Sequence, residues 1–232
     1  MKTNYSILLL CILLMYACSS GPTPSEKEIE KNISNIYLAK TTFEDIIGGT
    51  LGDFDNVDVK NVYVSQSAIL DTMNINFSRN SIAAITYENL SSEERESYDY
   101  IGVDISQKNG EKNPFSFSTN TLEKMTATKK VAYQFAESIK NQSYQELEPI
   151  MKIGPDASQT AKAIEDHFSK NTTAAGTIIN YYYHGAGEGE HQSKTYYSHL
   201  GTFVYANGMT QNFFVNIFEG ASVIEGYNIS AL

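Results

Sequence analysis

KTYYSHLGTFVYANGMTQNFFVNIF, residues 194–218, is the stretch that decides the fold of the second half of the chain. Aromatic and β-branched residues fill it on both sides of Asn207-Gly208, a dipeptide that favours a two-residue hairpin turn. A type I′ turn there fixes which side chains share a face of the sheet. The resulting register places Val204 opposite Gln211 and His199 opposite Asn216. We therefore expect an antiparallel hairpin whose two faces differ in chemistry.

One face of this hairpin is mainly aliphatic and suits a protein core, whereas the other combines aromatic and polar side chains. Small-molecule pockets commonly use aromatic walls with a few polar groups. The alternative is an exposed face or a dimer interface, with the tyrosine hydroxyls in water. The ligand-binding candidates on the aromatic face are Tyr197, His199, Phe203, Tyr205, Phe214, Asn216 and Phe218.

Helical patterns precede this hairpin, and further strands surround it. A helix is predicted from near Thr121, and NQSYQELEPIM (141–151) breaks it at Asn141 and starts a short second helix. A third helix is predicted over 158–170, from apolar residues at helical spacing. Strand patterns then follow in a meander, at residues 176–184, 194–206, 209–219 and 222–230.

This order of elements resembles the nuclear-transport-factor-2-like (cystatin-like cone) family. The resemblance covers about 122–232 and rests on the order of elements and on the polar break, Tyr and Leu pattern of NQSYQELEPIM. It implies a cone-like fold in which helices close one face of a curved sheet around a cavity. Enzymes of that family place a His or Asp general base in the cavity. The corresponding enzyme hypothesis makes His199 the base and Tyr197 and Asn216 the donors.

The first half predicts a helix followed by an antiparallel sheet, over residues 26–119. Ser25 and Glu28 fit a capping box, and apolar residues at helical spacing continue to Gly48-Gly49, which predicts a helix of about 20 residues. Alternating patterns then predict strands, including MNINF (73–77) and SIAAITY (81–87), and Asn109-Gly110 predicts a hairpin turn. The fold class is therefore α+β in two modules, 26–119 and 120–232.

The N-terminal sequence predicts an export signal. An apolar run of about 10 residues, ILLLCILLM (7–15), is too short to span a bilayer and suits a signal peptide over 1–17. Ala17-Cys18 resembles a bacterial lipobox, which implies cleavage before Cys18 and attachment of diacylglycerol to its sulfur. Residues 18–25 then form a short tether. The alternative is an ordinary cleaved signal peptide followed by a chance cysteine.

Charge and cysteine content narrow the functional classes. Removal of 17 residues from the chain of 232 leaves 215, with Cys18 as the one cysteine, so an intramolecular disulfide is excluded. The loss of Lys2 takes the formal net charge from −10 to −11. Such a charge argues against nucleic acid and against an anionic lipid surface as partners. The lipid would instead hold the protein at the cell envelope, with an outer-membrane anchor facing the periplasm.

Neither a metal nor another cofactor is predicted. A metal site would need His184, Glu188, Glu190 and His191, but GAGEGE (185–190) favours a mobile hairpin tip over a rigid set of ligands. Asp53, Asp55 and Asp58 lack the glycine continuation of a calcium loop and predict a solvated acidic turn.

Three functions remain open from the sequence. The first is a non-enzymatic, lipid-anchored binding module for a protein, a peptide or a small apolar ligand. The second is the enzyme hypothesis built on His199. The third is a structural lipoprotein of the envelope. The missing catalytic motif and the aromatic sheet face favour the first.

Overall fold

The structure is a computed structural model that describes residues 21–110, 112–152 and 156–232. The described residues form two four-stranded sheets, each preceded by helices, which confirms the α+β class with two modules. The predicted signal peptide and Cys18 lie outside the described residues. None of the helices in the described ranges has the length and apolarity needed to cross a bilayer.

The first module contains α1 (Pro24–Tyr37), β1 (Lys40–Leu51), β2 (Phe54–Ser65), α2 (Ile75–Asn89), α3 (Ser92–Ser97), β3 (Tyr100–Ser106) and β4 (Lys112–Ser118). Its strands lie side by side in chain order. β1 pairs with β2 and β3 with β4 in antiparallel fashion, but β2 and β3 are parallel. The prediction of a purely antiparallel sheet is therefore wrong. A parallel pair needs a crossover connection, and α2 provides it.

The predicted first helix is too long. α1 begins with a capping box formed by Thr23 and Glu26 rather than by Ser25 and Glu28, and it ends at Tyr37. Leu38 adopts a left-handed conformation, with φ of 50°, and its N–H donates to the carbonyl of Ser34. The β-branched residues that follow favour an extended chain, so 40–51 form β1 instead of further helical turns.

The predicted strands at 73–77 and 81–87 are also wrong, because α2 occupies this region. Asn74 caps the helix by accepting a hydrogen bond from the N–H of Asn76. From Ser81 to Tyr87 every residue of the helix is buried. A helix that is buried on all sides has no polar stripe, and therefore the sequence lacks the helical period that would have identified it.

The second module follows the predicted order. It contains α4 (Thr119–Lys140), a 3₁₀ helix (Tyr144–Ile150), α5 (Ala157–Ala175), β5 (Ile178–His191), β6 (Lys194–Tyr205), β7 (Thr210–Phe218) and β8 (Gly226–Ile229). The strands form an antiparallel meander in chain order. The helix break at Asn141 is confirmed. The chain does not separate the two modules by a linker, because α4 begins directly after β4.

Two buried clusters form the core, and α4 contributes to both. Leu122 and Met125 pack in the first cluster with α1, α2 and the first sheet, whereas Val131 and Phe135 pack in the second with α5 and the second sheet. Tyr197 and Ala186 of the second sheet also belong to the first cluster. The modules therefore share buried surface along α4 and the β5–β6 pair.

Candidate functional site

A half-open groove of about 800 Å³ lies where the two modules meet. One wall comes from α1 and α2 of the first module, and the other comes from α4 and β5 of the second. This volume falls within the range of about 300–1,000 Å³ that ligand pockets commonly have. The sequence predicted the candidate site elsewhere, on one face of the β6–β7 hairpin.

Tyrosines form the floor of the groove. The ring of Tyr133 on α4 lies 6.0 Å from that of Tyr181 and 5.4 Å from that of Tyr183, centroid to centroid. The ammonium group of Lys129 lies 5.2 Å from the ring centroid of Tyr133 and 5.0 Å from that of Tyr183. The floor is thus aromatic, with hydroxyl groups among the rings, while Tyr182 lies at the rim with 56% of its surface exposed.

The charged groups in the wall are paired with one another. Lys129 Nζ lies 2.7 and 2.9 Å from the two carboxylate oxygens of Glu88, which ties α4 to α2. Lys140 Nζ lies 3.7 Å from Glu137, and it also lies over the ring of Tyr181. Each cation in this wall therefore has an adjacent anion, and the local formal charge is zero.

A buried series of hydrogen bonds holds one of the floor tyrosines, Tyr183, in place. The Tyr183 hydroxyl lies 2.9 Å from Nδ1 of His199, and the other ring nitrogen, Nε2, lies 2.9 Å from Oγ1 of Thr128. Thr128 donates its single hydroxyl proton to the carbonyl of Met125, at 2.9 Å. Thr128 Oγ1 must then accept from His199 Nε2–H, and Nδ1 must accept from Tyr183. His199 is therefore the neutral tautomer that carries its proton on Nε2.

The electrostatics agree with this assignment. His199 is fully buried, and burial, with a smaller contribution from the nearby Lys129 cation, lowers its pKa to about 3. Burial also raises the pKa of Tyr183 well above its usual value. Both side chains are therefore uncharged at neutral pH, and Tyr183 acts as a positioned donor rather than as an acid or a base.

The hypothesis of His199 as a general base does not fit this geometry. A general base needs hydrogen-bond reach to its substrate. Both ring nitrogens of His199 are occupied by protein groups, and Tyr183 separates the ring from the groove. The proposed donor Asn216 pairs with Ser198 and so points to the opposite face of the sheet from His199.

The predicted register of the β6–β7 hairpin is wrong by one residue. His199 lies opposite Val215, and Val204 lies opposite Thr210. The loop contains one more residue than a type I′ turn, because Tyr205 N–H donates to the carbonyl of Met209 across Ala206, Asn207 and Gly208. A slip of one residue moves one strand's side chains to the other face.

The slip divides the predicted ligand-binding residues between the two faces of the sheet. The first set points into the protein and is fully or almost fully buried, namely Tyr197, His199, Phe203 and Tyr205. The second set, Phe214, Asn216 and Phe218, lies on the other face and is partly exposed. The predicted single aromatic face is therefore not present, and most of the first set is core. Phe203, for example, packs against Phe213 with ring centroids 4.6 Å apart.

The glycine-rich stretch 185–190 does not form a loop, as the sequence suggested. It continues β5 and pairs with β6 as far as His191↔Lys194, and Gln192-Ser193 makes the turn with φ of 51° and 60°. Gly185 has φ of 113°, and a Cβ built there would lie 2.9 Å from the backbone nitrogen of Ser81. Glycine is required here because α2 approaches the strand so closely.

The groups considered for metal binding do not converge. Asp58 accepts from the N–H of Gly48, and Asp55 accepts from the hydroxyl of Thr50, so these carboxylates stabilise the β1–β2 hairpin. His184 Nε2 lies 2.8 Å from Thr202 Oγ1, and burial lowers the pKa of its imidazole. Across the described ranges, no cluster of three or more His, Cys, Asp or Glu side chains is arranged to hold a metal ion.

The polar face of α4 was not among the predicted site residues, although the sequence contains its pattern. Lys129, Tyr133, Glu137 and Lys140 recur every three or four residues and form one stripe, beside the apolar stripe of Val131 and Phe135. Such a stripe looks like an ordinary solvated helix face until the opposite wall of the groove is known.

Comparisons of this chain with protein-family models, with curated proteins and with solved structures find no match.

Proposed function

We propose that this protein is a non-enzymatic binding module, anchored by a lipid on Cys18 to the bacterial cell envelope, and that its ligand occupies the groove between the modules. The observation that carries the proposal is the tyrosine floor with its charge-paired wall. Tyrosine offers a large apolar contact area at low cost in conformational entropy, which makes it effective in binding surfaces.

The floor is preorganised for binding. The chain from Tyr183 through His199 and Thr128 to the Met125 carbonyl holds one ring in place, and the Glu88–Lys129 pair holds the adjacent cation. Groups that are already ordered lose little further entropy when a ligand arrives. The neutral wall favours an uncharged ligand, because a charged one would find no unpaired partner there.

The proposed location of the protein is based on its N-terminal sequence. The apolar run before Ala17-Cys18 and the short tether support export and lipidation, and the anchor is proposed to lie in the outer membrane facing the periplasm. The cone-like family resemblance of the second module remains a prediction, supported by the observed order of helices and strands.

Ligand binding by matched variants tests the proposal. The full-length chain in detergent is screened by thermal shift and calorimetry against uncharged peptides, oligosaccharides and long-chain alcohols. We expect Tyr182→Ala at the groove rim to weaken a ligand's binding at least tenfold. Phe54→Ala is the control, because Phe54 is similarly exposed, at 58%, but lies on the β1–β2 hairpin away from the groove.

Two outcomes would contradict the proposal. Equal binding by the wild type and by Tyr182→Ala would place the ligand outside the groove. A protein that binds none of the three ligand classes would instead favour the structural role in the envelope.

A further inference from the structure

The groove exposes the edge of a β-sheet as well as side chains. β5 is the first strand of the second sheet, and in the described part of the chain no strand pairs with its other side. Five consecutive residues of this strand, 180–184, line the groove. Side chains alternate between the two faces of a strand, so five consecutive lining residues mean that the strand lies edge-on to the groove.

The register identifies which backbone groups point into the groove. Tyr205 N–H donates towards the β7 side, to Met209, so alternate residues of β6 bond to β7 and the intervening ones, including Val204 and Thr202, bond to β5. Their partners in β5 are Asn180 and Tyr182. The N–H and C=O groups of the remaining two residues, Tyr181 and Tyr183, therefore point away from β6 and towards the groove.

Further along β5, from Gly185 onward, the same edge is covered by α2. Ala186 pairs with His199, which also bonds towards β7, so the backbone of Ala186 points away from β6 as well. There the Nδ2 group of Asn80 on α2 donates to the Ala186 carbonyl. α2 thus covers the edge from Gly185 onward, and a β-bulge at His184 separates the covered part from the open part. The open part is a short segment that ends at Tyr183.

An exposed edge usually carries charge or proline, or is covered, because it would otherwise pair with other chains. The open part of β5 carries Tyr181, Tyr182 and Tyr183 and has neither charge nor proline. The wall formed by α1 and α2 lies across the groove from it. The edge is therefore kept available to a chain that enters the groove.

On this basis, and resting on the proposed function, we propose that the ligand is an extended, uncharged polypeptide segment that adds to the second sheet as a strand beside β5. Its backbone would pair with Tyr181 and Tyr183, and its side chains would lie against the tyrosine floor. Such strand addition obtains affinity from main-chain hydrogen bonds and specificity from the side-chain contacts.

The experiment uses peptides selected from a displayed library of random linear dodecapeptides on the full-length chain in detergent. The tightest peptide is synthesised in two N-methylated series, which block alternate N–H groups. We expect one series to lose at least tenfold in affinity and the other less than threefold, because only one set of N–H groups faces β5. Tyr182→Ala should weaken the parent peptide.

A second measurement follows hydrogen exchange at the backbone amides of β5. Backbone amide exchange of Tyr181 and Tyr183 should slow at least tenfold when the selected peptide binds. The amides of Asn180 and Tyr182 are the internal control, because they already bond to β6 and should change little.

The outcomes separate this inference from the proposed function. Equal affinity of the two N-methylated series, or unchanged exchange at Tyr181 and Tyr183, would overturn strand addition. If the groove bound oligosaccharides or long-chain alcohols but no peptide, and Tyr182→Ala weakened that binding, strand addition would be overturned while the proposed function stands. Failure of all ligand classes would overturn both.

Discussion

The hydroxyl of Tyr183 donates to Nδ1 of His199 over 2.9 Å, and this bond joins the floor of the groove to the core of the second module. The bond requires a neutral imidazole, because a protonated Nδ1 has no lone pair with which to accept the hydroxyl proton of Tyr183. The stability of the protein is therefore coupled to the protonation of a buried residue that does not line the groove.

The first prediction concerns pH. The pKa of His199 is lowered to about 3 in the folded protein, mainly by burial, whereas an unfolded chain has a value near 6.5. Above pH 6.5 both states are neutral and the full stability is present. Between about pH 6.5 and 3 only the unfolded chain binds the proton, so stability falls as the pH falls. The slope is about 1.4 kcal/mol per pH unit, and the total is on the order of 5 kcal/mol.

Urea unfolding at pH 7.5, 6, 5 and 4 measures this slope. The comparison is with His199→Gln, which keeps hydrogen-bonding groups but does not titrate. We expect a shallower dependence in the variant, by up to about 1.4 kcal/mol per pH unit. His184 titrates in both proteins and cancels. Identical slopes in the two proteins would show that His199 is not the buried neutral group described above.

The second prediction concerns Lys129, whose positive charge adds to burial in lowering the pKa of His199. Lys129→Met should raise this pKa but leave it below 6.5, since burial is the larger cause. Glu88→Gln breaks the same ion pair while the lysine stays in place, and it should not raise the pKa. NMR titration of the imidazole resonances measures both. A rise in the Glu88 variant as large as in the Lys129 variant would contradict the prediction.

The parts of the fold that the sequence predicts are those in which a strand or helix has one buried face. The second module was predicted element by element because its helices have separate apolar and polar stripes. α2 was missed because its residues 81–87 are buried on all sides, and without that crossover the sheet was predicted as antiparallel instead of mixed. The register of β6 and β7 was missed because Asn207-Gly208 sits in a three-residue loop.

The groove could not be predicted for a different reason. Glu88 and Lys129 are 41 residues apart and belong to helices of different modules, so the pair exists only once α4 has packed against both cores. The composition of 185–190 suggested flexibility, but Gly185 allows close packing against α2, and that role depends on the position of α2. Sequence periodicity describes single elements and contains no information about their junction.

The third prediction concerns the lipid anchor. Cys18→Ser removes the sulfur that would carry diacylglycerol, so the variant should lose incorporation of labelled palmitate and move from the membrane fraction to the soluble fraction. Cys11→Ser is the matched control, because Cys11 lies within the predicted signal peptide and should not be required. Membrane association of the Cys18 variant equal to that of the wild type would contradict lipidation at this residue.

The fourth prediction tests the contact by which α2 covers the edge of β5 at Gly185. Gly185→Ala places a methyl group 2.9 Å from the Ser81 backbone nitrogen at a φ of 113°, so either the strand or α2 must move. We expect a loss of at least about 2 kcal/mol in the free energy of unfolding, since a strained backbone conformation alone costs about 1–3 kcal/mol.

Gly187→Ala is the control, because its methyl group would lie no closer than 3.8 Å to any neighbour, and its effect should stay within about 1 kcal/mol. Denaturant unfolding of both variants decides the matter. If the two substitutions destabilise equally, the approach of α2 does not explain the glycine at position 185, and this contact would not mark the end of the open part of the β5 edge.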